Sequence, residues 1–158
     1  RLPIRGRKQW ATNLLLSALA AEFIGTSITV PIMSQYAASF NVDPGLIGLV
    51  FSIGAFATLL SDLWLPRVSD AYGRKPAIVL SLIGSSVAYG MEAMAPTFTF
   101  LLFASFCGGM FGGTPPVATA YISDIFAPSE RPQYIALVPA VVSLCFVMGP
   151  ILGGLLSN

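Results

Sequence analysis

Five long apolar segments set the terms for this chain. They run near Trp10–Met33, Gly45–Leu65, Pro76–Ala95, Phe98–Ile122 and Tyr134–Leu156. Each is long enough to cross a bilayer's hydrocarbon, which takes about 20 helical residues. In lipid a backbone must bond its own polar groups, so helices are the expected form. None of the segments alternates apolar and polar residues as a barrel strand would. Charged residues are only 9% of the chain, far below the roughly 25% of soluble domains. The sequence therefore predicts an all-α membrane protein, a single transmembrane domain over residues 1–158.

The basic residues orient the spans. All eight fall in three places: Arg1, Arg5, Arg7 and Lys8, then Arg67, Arg74 and Lys75, then Arg131. With five spans these places share one side, and the stretches between them hold no Lys or Arg. Basic loops stay in the cytoplasm. The expectation is a multi-pass protein with a cytoplasmic N-terminus, a cytoplasmic turn at Arg67–Lys75 and a cytoplasmic loop at Ala127–Gln133.

Several function classes are disfavoured. The chain has no histidine, so His-ligated metals, Ser-His-Asp triads and His proton relays are out. No nucleophile–base pair or metal cluster stands out, and no cofactor is implied, so an enzyme is not expected. Cys107 and Cys145 each lie inside an apolar stretch and read as small buried hydrophobes. Basic residues that mark one membrane face give no reason to expect nucleic acid.

Acids inside the spans are the first functional candidates. Glu22 falls near the middle of the first span, where a charge costs about 3 kcal/mol or more. A carboxyl that alternates between protonated and charged forms is what proton-coupled transport needs. Glu92 lies toward the outer end of the third span, where a long side chain can reach the interface. Asp62 sits toward the cytoplasmic end of the second span, and Asp43 with Pro44 reads as a helix cap.

The turn LPRVSDAYGRKPAI and the fifth span carry further patterns. Gly73 permits a positive φ, and Asp70 and Arg74, four apart, pair if the segment is helical. In the fifth span Gly149 and Gly153 share a face and admit a close helix, while Pro150 predicts a kink. Gly109 and Gly113 repeat the small-residue spacing in the fourth span, ahead of Pro115 and Pro116.

These patterns resemble the major facilitator superfamily. Asp70, Gly73, Arg74 and Lys75 match its G-x-x-x-D-[RK]-x-G-[RK]-[RK] turn, with Pro66 and Ala71 departing from it. Gly149, Pro150, Gly153 and Gly154 match the antiporter motif g-x-x-x-G-P-x-x-G-G, with Cys145 in its first place. Glu22 with Pro31, SDAYGRKPAIVLSLIGSS, and Asp124 and Arg131 in ISDIFAPSER look like tetracycline and multidrug exporters. The resemblance implies five helices of an N-terminal six-helix half, belonging to a protein that exports a small hydrophobic solute by proton-coupled alternating access. It also implies a cytoplasmic latch of Asp70, Gly73, Arg74, Lys75, Asp124 and Arg131. The implied partners are the solute, protons, the bilayer and a missing C-terminal half, and a start at Arg1 reads as trimmed.

Two departures bear on coupling. Ser105 stands where those exporters carry an arginine, and their third-span acid falls at Ala88. Glu92, one turn further along the same face, is the expected substitute. A facilitator or symporter without proton antiport, or a non-transporting membrane sensor, remains the alternative.

Overall fold

A computed structural model describes residues 4–156, with the side chains of residues 4, 5, 7, 155 and 156 left aside. The basic cluster at Arg1, Arg5 and Arg7 thus lies outside the described side chains. Seven helices follow one another: α1 (Ile4–Ser39), α2 (Pro44–Tyr72), α3 (Arg74–Ala93), α4 (Phe98–Met110), α5 (Thr114–Ile125), α6 (Arg131–Ile135) and α7 (Leu137–Leu156). There is no strand among the described residues. Five stretches are long and apolar enough to span a membrane.

The helix ends follow local chemistry. Asp43 caps α2, its carboxylate accepting from the Gly45 amide at 2.8 Å, with Pro44 in the first turn, where its missing N–H costs nothing. The Thr97 hydroxyl caps α4 through the Phe100 amide. Pro31, Pro66 and Pro150 lie inside α1, α2 and α7, and each helix continues through its proline. Consequently α2 runs to Tyr72, well past the apolar limit at Leu65.

The fourth apolar segment is not one helix. It breaks between Met110 and Thr114, because Pro115 and Pro116 lack the amides that would bond the carbonyls four residues earlier, at Phe111 and Gly112. Side chains of neighbouring helices reach the break. The Ser81 hydroxyl of α3 donates to the Phe111 carbonyl and lies 2.5 Å from the Thr114 hydroxyl. The Gly113 amide donates to the Ser61 hydroxyl of α2 at 3.0 Å, in a buried bond. In lipid such partners replace the lost helical ladder.

The chain packs as two units, each described by itself: residues 32–117, and α1 through Pro31 with the chain from Ala118 onward. In the first, α2 turns Val50, Ala57, Ser61, Leu65 and Ser69 inward, and α3 turns Ala77, Ser81, Ser85, Ala88 and Glu92 inward. The α3 face recurs every three to four residues and the α2 face every four from Ala57 to Ser69; both are built mostly of Ala and Ser, which let helix backbones approach closely in lipid. α4 comes nearest. A Cβ on Gly109 would overlap the Gly54 carbonyl oxygen and lie 2.6 Å from the Ala57 methyl. Toward the α3–α4 loop, Met33, Ala37, Val50, Ala95 and Leu101 cluster, and the Tyr36 hydroxyl donates to the Ala95 carbonyl at 2.7 Å.

In the other unit α7 lies on α1. A Cβ on Gly149 would overlap the Ser27 side chain, and one on Gly153 would meet the Pro31 ring at 2.7 Å. Cys145, one turn earlier on the same face, is buried with its thiol toward the Ala20 carbonyl. Large apolar side chains such as Phe56, Leu63, Ile83, Val87, Leu144, Val147 and Ile151 point outward. So broad an apolar surface suits lipid or further protein, not water.

Candidate functional site

The joint between α2 and α3 is a single residue. Gly73 has φ +103° and ψ 157°, a conformation strained for any side chain. Its amide donates to the Ser69 carbonyl at 3.0 Å, closing α2. Arg74 reaches back across the joint and places one guanidinium nitrogen 2.5 Å from the Asp70 carboxylate and 3.1 Å from the Ser69 hydroxyl. The expected Asp70–Arg74 pair therefore forms, but across a helix end rather than along one helix. Arg74 and Lys75 occupy the first turn of α3, where the helix dipole disfavours cations. Helix stability does not explain them. Lys75 is exposed, and so is Asp70, with 65% of its side chain accessible.

Glu92 ends the inward face of α3. It is 9% exposed, so it does not extend to the interface as a long acid near a helix end could. The Ser105 hydroxyl of α4 donates to its carboxylate at 3.2 Å. A Cβ on Gly108, one turn along α4, would lie 3.8 Å from the same oxygen and 3.4 Å from the Ala88 methyl. Ala88 and Glu92 do share a buried face. The two positions at which the sequence departs from the exporters, Ser105 and the displaced acid, are thus hydrogen-bonded to each other. Sequence reasoning named both and did not connect them.

The remaining candidates lie in the other unit. Glu22 of α1 is buried, with 8% exposure. The Thr26 hydroxyl donates to its backbone carbonyl at 3.0 Å. Asp124, at the C-terminal end of α5, is exposed. Arg131 opens α6, and its Nε donates to the Phe126 carbonyl at 3.0 Å just past α5. There it ties down the loop ahead of α6, where Phe126 and Tyr134 stack at 3.8 Å. Gly149 and Gly153 are the buried contact points of α7 on α1, whereas Pro150 and Gly154 face outward. Among the described residues, no group of His, Cys, Asp and Glu could hold a metal ion.

The Major Facilitator Superfamily profile matches residues 15–158. The chain belongs to this superfamily. It is therefore an integral, multi-pass membrane protein of a transporter family rather than an enzyme family. Among its relatives, the class B tetracycline resistance protein of Escherichia coli is 26% identical over 91% of this chain and 37% of its own length. Major facilitator superfamily domain-containing protein 10 of Bos taurus is 37% identical over 87% of this chain and 29% of its own length. A crystal structure of the human organic anion transporter MFSD10 superposes with a TM-score of 0.79 at 22% identity, covering 93% of this chain and 41% of that one. That likeness shows the fold. The chain spans well under half the length of each of these proteins.

Proposed function

We propose that this chain forms the greater part of the N-terminal half of a transporter that exports a small, hydrophobic solute by alternating access driven by protons. The observation that carries the reading is a pair of carboxyl groups, Glu22 and Glu92, buried in separate spans of a transporter fold. Acids are kept inside membranes where they bind protons or cargo. Solute sites in such folds lie near the midplane between two repeats, so a C-terminal half completes the pathway. The relatives named for tetracycline resistance and organic anion transport support a small organic solute.

The Gly73 joint acts as the cytoplasmic latch in this reading. Asp70 and Arg74 hold it closed, Lys75 is free to reach a partner, and Asp124 and Arg131 complete the set that the family resemblance implies. The positive-inside bias supports a cytoplasmic N-terminus. The face of Gly149 and Gly153 gives α7 a close contact with α1, and its match to the antiporter motif supports export.

Transport by the full-length protein in vesicles, with and without a pH gradient, tests the proposal. The expected result is gradient-driven uptake into inverted vesicles that Glu22→Gln abolishes. Uptake indifferent to both the gradient and Glu22→Gln leaves the second reading, a facilitator of the same fold. No uptake of any solute would point to a sensor.

A further inference from the structure

We propose that Ser105 is the positioning residue that lets Glu92 exchange a proton, by holding the carboxyl in place in both of its charge states. This rests on the proton-coupled reading above and assigns the partner that reading lacks.

The argument begins with what surrounds Glu92. On α3 the nearest cation is Lys75, 92 − 75 = 17 residues away, about 25 Å along the helix at 1.5 Å per residue. The other titratable residues in the flanking stretches are few. On α3 there is Tyr89, on α4 there is Cys107, and α2 from Pro44 to Leu60 has none. Asp43 is engaged at the cap of α2, and Tyr36 donates to the Ala95 carbonyl. Further along α2, Asp62 is exposed. No Lys or Arg stands in residues 32–60 or 76–117. A buried carboxylate here has no ion-pair partner on these segments, and its one hydrogen-bond donor there is the neutral hydroxyl of Ser105 at 3.2 Å.

A hydroxyl differs from a guanidinium in one decisive way. It donates to an ionised carboxylate and accepts from a protonated one, rotating between the two, whereas arginine only donates. An arginine beside a buried acid favours the charged form and opposes proton uptake. Serine holds the side chain in one place and leaves the charge to the proton. Gly108 contributes by keeping α4 free of bulk beside the same oxygen.

The test uses the full-length protein in proteoliposomes, with Ser105→Thr, Ser105→Ala and Ser105→Arg, alongside Glu92→Gln. Ser105→Thr keeps the hydroxyl and retains gradient-driven transport within about twofold. Ser105→Arg loses the gradient response as fully as Glu92→Gln does. Infrared difference spectra on a pH jump provide a readout independent of transport. The protonated-carboxyl band that Glu92→Gln removes should shift in Ser105→Ala and keep its position in Ser105→Thr. A band unmoved in Ser105→Ala overturns the inference, even if Ser105→Arg fails to fold. A gradient response equal to the native one in Ser105→Arg overturns it as well. A native protein indifferent to the gradient, yet showing the band shift, rejects the coupled reading and leaves the Ser105–Glu92 bond standing.

Discussion

Replacing Gly109 by alanine adds one methyl group at the tightest point between α4 and α2. The new Cβ would overlap the Gly54 carbonyl oxygen, lie 2.6 Å from the Ala57 methyl and 3.0 Å from the Thr58 amide nitrogen. Two of these three neighbours are backbone atoms, which cannot rotate away, so the helices must separate. Overpacking of this kind costs about 1–3 kcal/mol. Alanine also recovers up to about 1 kcal/mol of helix propensity over glycine, which would blur a single measurement. Gly90→Ala supplies the control, because nothing lies within 4 Å of its Cβ position and only the propensity gain applies. At about 2–4 °C per kcal/mol for a domain of this size, Gly109→Ala should melt roughly 2–12 °C below Gly90→Ala. Thermal melting in detergent, followed by tryptophan fluorescence, reads the difference. Equal melting temperatures would refute the close approach of α4 to α2.

Ser61→Ala strands the Gly113 amide beneath α2, and an unsatisfied buried donor costs about 1–3 kcal/mol. Ser52→Ala, whose hydroxyl meets only the Gly48 carbonyl on an exposed face, should change stability by under about 0.5 kcal/mol; the same melting assay compares the two. Asp70→Asn removes an exposed ion pair, worth about 1 kcal/mol at most, so it should leave melting nearly unchanged. If it also leaves transport by the full-length protein nearly unchanged, the latch role of Asp70 is wrong.

Most of the architecture was legible because lipid imposes it. Twenty apolar residues in a row admit little but a helix, and five helical stretches are long and apolar enough to cross a membrane. The boundaries shifted where polar residues continue a helix beyond the hydrocarbon, as Ser69, Asp70 and Tyr72 do in α2. The break in the fourth span was written in Pro115 and Pro116. The sequence predicts one unbroken span, Phe98–Ile122, because proline inside a membrane helix often does no more than bend it, and whether the helix parts depends on other helices offering hydroxyls. Ser61 and Ser81 do so from 52 and 30 residues away, beyond the reach of local pattern. The Glu92–Ser105 bond hid for a similar reason. Spacing put Glu92 on the face of Ala88 in α3, but only the antiparallel hairpin of α3 and α4 puts Ser105 opposite.

The one-residue joint at Gly73 leaves no slack between its two rods. A longer linker would let α2 lean while α3 stayed upright. Here the far end of one helix is the near end of the next, stitched again by Arg74. A tilt of α2 therefore carries the start of α3 with it.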